Sequence, residues 1–150
     1  MRRQTRGYLQ GFETPADTAT VWRALTDPAA LQLWYATEAV VEPRIGGRFS
    51  VTTRLFGRRE ATVERLDVGV RLSLLYQPNP DWPPLSDSAL VEDFLIDERH
   101  GVRKLRVIGS GVPADETWAP LLKRLRTGWA LAFAQLQLQL RGGRLPGAAT

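Results

Sequence analysis

The chain has 150 residues, 43% of them hydrophobic and 24% charged, with a formal net charge of +4 and no cysteine. That length forms one domain with a core large enough to leave a cavity, and the balance of residues excludes a disordered chain. The missing cysteine excludes disulfides, thiolate metal sites and a cysteine nucleophile, and with 18 of the 20 basic residues being scattered arginines, no basic stripe for nucleic acid forms.

Loose alternation over residues 7–13 predicts an opening strand. Thr14-Pro15 suits a helix start, because the hydroxyl can cap and proline lacks only a donor that the first turn leaves unused. Val21, Trp22 and Leu25 then give an apolar face until Asp27-Pro28 ends the helix. A second short helix over about 28–35 carries Leu31, Trp34 and Tyr35. Strands follow at 38–42, at Arg48 to Leu55 after a turn at Gly46-Gly47, at Glu60 to Leu66 and at Arg71 to Gln77. Residues 78–87 hold four prolines around Trp82 and read as a loop. Two further strands, 88–97 and 102–110, pair across Arg99-His100-Gly101.

The last element is the plainest. Trp118, Leu121, Leu122, Leu125, Trp129, Ala132, Phe133, Leu136 and Leu140 recur every three to four residues, a helix with one apolar stripe, stopped by Gly142-Gly143. An antiparallel sheet must bury one face, and this helix is the one element long enough to cover it. The expectation is an α+β helix-grip fold: a curved antiparallel sheet wrapped around a long C-terminal helix, with two short helices after the first strand. The whole of 1–150 reads as a single domain, with an ordered core over about 7–141 and a frayed tail over 142–150. No apolar run reaches the ~20 residues that a membrane span needs. The basic start is followed by no apolar signal core, so a cytoplasmic location is expected.

Four short signatures carry a family resemblance. They are Val21-Trp22-Arg23-Ala24-Leu25-Thr26-Asp27-Pro28, Gly46-Gly47-Arg48-Phe49, Lys104 to Gly111, and Thr127-Gly128-Trp129. In this order, from about Tyr8 to Leu140, the chain resembles the activator of heat-shock protein 90 ATPase homologue (AHSA-type) family of the START/Bet v-like (SRPBCC) superfamily. Where that family tends to read His-Ser-Gly-Phe, this chain has Gly109-Ser110-Gly111-Val112. The resemblance implies a cavity between the sheet and the C-terminal helix. It also implies three kinds of role, since superfamily members bind lipids or aromatic metabolites, cyclise polyketides, or bind a partner protein.

The family's inward pattern puts Leu72, Leu74 and Tyr76 toward the helix, and Val91, Asp93 and Leu95 likewise. The candidate ligand-binding residues are therefore Trp34, Phe49, Leu74, Tyr76, Asp93, Trp118, Leu122 and Trp129. Their rings suit a flat apolar guest, with the Tyr76 hydroxyl as a polar handle. An inward Asp93 would need donors or a raised pKa, which makes it a ligand anchor or an acid/base group. A register offset by one turns Asp93 outward and Phe94 and Ile96 inward. Left outward, those two side chains would offer a two-fold contact, so monomer and homodimer both fit.

Catalytic signals are thin. His100, the sole histidine, falls in a hairpin turn. Gly109-Ser110-Gly111 ends a strand rather than entering a helix, unlike a nucleophile elbow, and no cluster of metal-ligand residues exists. The expected function is cofactor-free binding of a small hydrophobic or aromatic molecule. A chaperone-ATPase-modulating interaction module and a polyketide cyclase-like enzyme using Asp93 and Tyr76 are the alternatives.

Overall fold

The computed structural model describes residues 4–85, 87–143 and 145. β1 (Thr5–Thr14) leads to α1 (Thr18–Thr26) and α2 (Pro28–Trp34), then to β2 (Ala36–Val41), β3 (Arg48–Thr53), β4 (Gly57–Asp67), β5 (Arg71–Tyr76), β6 (Val91–Arg99) and β7 (Val102–Pro113). A single 3-10 turn at Glu116–Trp118 opens into α3 (Ala119–Arg141). The strands form one seven-stranded antiparallel sheet in the order β1-β7-β6-β5-β4-β3-β2. The α+β helix-grip architecture read from the sequence is the one observed.

Local chemistry sets the boundaries. Asp17, not Thr14, caps α1, its Oδ1 accepting from the Thr20 N–H at 2.8 Å. Thr14 is committed to β1 opposite Arg103 and turns its hydroxyl to the Ala16 N–H, so the helix starts beyond it. Asp27 closes α1 and caps α2 through the Ala29 N–H, with Pro28 in the first turn. At the β6–β7 hairpin His100 (φ 53°) and Gly101 (φ 78°) both take the left-handed conformation that a tight two-residue turn needs.

α3 buries Leu122, Leu125, Gly128, Trp129, Ala132, Phe133 and Leu136 against the sheet. Phe133 meets Phe12 of β1 edge to face, and Trp129 meets Phe94 of β6 in the same way. Gly142 ends the helix, and Leu145 beyond it is buried. The remainder of the expected tail, residues 144 and 146–150, lies outside the described residues.

The register of β6 corrects the expected inward set. Leu74 pairs with Glu92 and Leu72 with Phe94, so Glu92, Phe94 and Ile96 face the core while Val91, Asp93 and Leu95 face away. Phe94 and Ile96 are buried within this chain, which removes the two-fold contact proposed for them. Asp93 sits on the outer face, bonded to the Ser73 hydroxyl and 3.0 Å from Nη2 of Arg71. Outside, it has a cation and a hydroxyl at hand. Inside, it would displace a larger apolar area.

Candidate functional site

The core contains a charge that the sequence reading did not anticipate. Glu92 is fully buried, and four donors converge on its carboxylate. Oε2 accepts from the Tyr8 hydroxyl at 2.5 Å and from Trp129 Nε1–H at 2.7 Å. Oε1 accepts from the Tyr76 hydroxyl at 2.6 Å. Arg59, 2% exposed, places Nη1 3.0 Å from one oxygen and 3.1 Å from the other.

Each donor is delivered by a different element, and the sheet register explains how. Tyr8 of β1, Gly109 of β7, Glu92 of β6, Leu74 of β5 and Val63 of β4 lie in one row across the sheet. Gly109 leaves the Tyr8 ring room to lie flat across β7, since a Cβ there would come 1.9 Å from Tyr8 Cζ. The missing side chain at Gly109 is thus what lets a β1 tyrosine reach β6. Arg59 shares the inward phase of β4 with Ala61 and Val63. Trp129 is held above by stacking on Tyr35 (centroids 4.9 Å) and by Phe56 (5.6 Å). Phe56 comes that close because Gly128 has no side chain.

The electrostatics follow from this burial. Desolvation and then the Glu92 charge push the Tyr8 phenol well above its ordinary pKa of 10.0. Tyr35 and Tyr76 are likewise raised by burial, with the Arg59 cation opposing and Glu92 adding to the shift. Burial is the largest single influence on Arg59 and works to lower its pKa, but Glu92 together with Tyr76, Tyr35 and Tyr8 raises it well above the ordinary value. Arg59 is further accommodated by the Tyr76 ring, whose centroid lies 3.9 Å from Cζ, and by Phe56 and Trp82 at 5.2 and 5.5 Å. A carboxylate offers about four lone-pair sites, and four donor groups use them. Glu92 is therefore an anchor that orients its partners, with no oxygen left for a guest.

Next to this anchor lies a cavity of about 120 Å³ walled by β4, β5 and the proline-rich loop between β5 and β6. Its inner wall includes Arg59, Tyr76 and Leu90; the loop supplies Pro78, Pro80, Trp82 and Leu85. The loop is fixed at both ends. Asn79 donates to the Arg58 carbonyl at 3.0 Å, and Trp118 Nε1–H donates to the Pro84 carbonyl at 3.1 Å while its ring meets Trp82 edge to face. At the rim Glu60 is held down to about 2: burial opposes this, but hydrogen bonds from Arg48, Ser50 and Arg58 prevail.

Of the residues expected to line a pocket, Tyr76 borders this cavity. Trp129 and Leu74 instead fill the space between β5 and α3, where the resemblance had placed the cavity. Trp118 props the loop from behind, Trp34 donates to the Ala24 carbonyl at 2.9 Å, and Phe49 and Leu122 are packed in the core. Asp93 and Tyr76 are on opposite faces of the sheet, so the acid/base pair imagined from them is not assembled. The residues missed were Arg59, Glu92 and Tyr8. One signal was present: an arginine in the same strand phase as Ala61 and Val63 calls for a buried partner.

A meandering antiparallel sheet closed on one long C-terminal helix defines an α+β helix-grip fold. Residues 15–140 match the model of the family described as activator of Hsp90 ATPase homolog 1-like protein, and the chain belongs to that family. No curated protein matches it. Among solved structures it is similar to a protein from Mesorhizobium loti at 20% identity and TM-score 0.76, covering 91% of this chain and 97% of that one. The Aha1 dimer from Colwellia psychrerythraea is similar at 16% identity and TM-score 0.73, covering 90% and 96%. An Hsp90 activator from Plasmodium falciparum is similar at 17% identity and TM-score 0.72, covering 89% and 95%. No helix among the described residues is long and apolar enough to cross a membrane.

Proposed function

We propose that this protein binds a small, largely apolar or aromatic molecule in the cavity between β4, β5 and the loop residues 78–85. The observation that carries the reading is the space beside the buried core, walled by Tyr76, Trp82, Leu85 and Leu90. Rings and prolines suit a flat guest, because they bring large apolar area with little conformational entropy to lose. At about 120 Å³ the space is close to the ~150 Å³ cavity that admits benzene. The guest, or the part of it enclosed, is therefore about one ring in size.

Native mass spectrometry of freshly purified protein tests this. A co-purified adduct is expected in the wild type and is lost in Trp82→Ala, which removes the roof while leaving the sheet and α3 intact. An adduct that survives Trp82→Ala unchanged places the guest elsewhere. No adduct, together with no thermal shift from a panel of one-ring compounds, removes the reading.

The second reading is an interaction module that modulates a chaperone ATPase. It is supported by membership of the Hsp90-activator-like family, by the similarity to an Hsp90 activator from Plasmodium falciparum, and by Leu33, Leu131 and Leu138, which expose large apolar side chains on α2 and α3. Acceleration of an Hsp90 ATPase by the purified chain, abolished in Leu131→Asp, would favour it over ligand binding.

A further inference from the structure

Of the large apolar side chains that the described residues expose, Leu33 (41%) and Leu131 (58%) line one open hollow between α2 and α3, above the buried Trp34 and Tyr35. Leu131, Leu55 and Arg54 also line a second hollow, which runs along α3 to Lys123 and Pro120. The two meet at those shared residues and form one groove beside the helix. Its far wall is fixed, because Arg124 Nε donates to the Leu55 carbonyl at 2.8 Å and ties the β3–β4 turn to α3. Arg124, Leu131 and the exposed Leu138 recur at intervals of seven and so share one face of α3, over about 21 Å.

The groove is also electrostatically one-sided. No acid lines either hollow, and α3 carries no Asp or Glu along its 23 residues. On the sheet, exposed cations are matched, Arg58 with Glu60 and Arg106 with Asp97. Arg54, Lys123 and Arg124, at the basic end of the groove, form no ion pair with another described residue. Apolar side chains beside unmatched positive charge complement an acidic, amphipathic surface. A second copy of this chain does not supply one, because a two-fold contact would set these cations against themselves. A flat bilayer would meet the tip of Leu131 but not the Trp34 and Tyr35 rings below it. We infer that the groove receives an acidic amphipathic helix of a partner protein. That helix seats leucine-sized side chains beside Leu33, Leu131 and Leu138 and carries Asp or Glu over Arg54, Lys123 and Arg124. The inference rests on the interaction-module reading above and makes no use of the small-molecule cavity.

Fluorescein-labelled peptides of about 15 residues, the length that spans Arg124 to Leu138 as a helix, provide the test. The first carries leucines at i, i+4 and i+7 with glutamates at one end. A second replaces the glutamates by lysines, and a third replaces the leucines by serines. Fluorescence anisotropy gives dissociation constants for the wild type, Leu131→Ser and Lys123→Glu, both substitutions falling at exposed positions. The acidic leucine peptide is expected to bind the wild type about tenfold more tightly than either control, and to lose about tenfold in each variant. Equal binding of the three peptides, or binding that neither variant weakens, overturns the inference. Co-sedimentation with phosphatidylcholine–phosphatidylserine vesicles that both variants weaken, with no peptide bound, overturns it in favour of a membrane surface. Acceleration of an Hsp90 ATPase that Leu131→Asp abolishes, with no peptide bound, removes the acidic helix and leaves the chaperone reading standing. Peptide binding as expected, with no effect on that ATPase, supports the groove and removes the chaperone.

Discussion

Glu92 and Arg59 form a pair whose energetics turn on what is left when one member goes. Two ions in a dry core recover their desolvation cost only through mutual attraction and further hydrogen bonds. Here Tyr8, Tyr76 and Trp129 supply three of those bonds. Removing the acid alone, as Glu92→Ala, leaves Arg59 charged, buried and opposite an empty space, and the expected cost is about 3–5 kcal/mol. Removing both ions, as Arg59→Met with Glu92→Leu, exchanges the pair for apolar side chains and is expected to recover most of that loss, although three donors lose their acceptor. Urea unfolding of the single and double variants checks this. If the double variant is as unstable as Glu92→Ala, the cost lies in the orphaned hydroxyls and indole rather than in the unpaired guanidinium.

β6 shows why its register could not be read from its own residues. One phase is Val91, Asp93 and Leu95; the other is Glu92, Phe94 and Ile96. Each holds one acid and two apolar side chains, so alternation favours neither. The deciding partner, Arg59, is two strands away in β4, and Tyr8 and Trp129 come from opposite ends of the chain. The helices, by contrast, were legible because their signals are local: the 3.6-residue stripe of α3 and the Asp27-Pro28 break needed no distant contact. Gly128 lies between these cases, since its place in α3 was plain and its reason was not. A Cβ there would come 2.4 Å from Phe56 Cε1, and the Phe56 ring is itself confined by Trp129 and Tyr35. Gly128→Ala gains about 1 kcal/mol of helix propensity but overpacks a rigid ring at about 1–3 kcal/mol. Net destabilisation by chemical denaturation is the expected result, and a more stable variant would mean that Phe56 can yield.

The molecule as a whole carries a dependence on alkaline pH, because all three of its tyrosines surround the same buried pair. The resemblance to a helix-grip family located the sheet and α3 correctly but implied an apolar cavity beneath the helix. The polar anchor there arises from long-range pairing that no local pattern displays. Burial raises the pKa of Tyr8, Tyr35 and Tyr76 above the ordinary 10.0, with Glu92 adding to each shift. Below pH 10 both folded and unfolded chains keep the phenolic protons, and stability is unaffected. Above it the unfolded chain releases them while the folded chain retains them, so stability falls as pH rises. Each tyrosine contributes about 1.4 kcal/mol per pH unit, and three together about 4 kcal/mol by pH 11, a large part of the ~5–15 kcal/mol typical of a domain. An absorbance titration should therefore show no tyrosinate in the folded protein near pH 10, then all of it at once as circular dichroism reports unfolding. Gradual tyrosinate formation centred near 10 with the fold intact would show that these hydroxyls reach water, and that the anchor is not sealed.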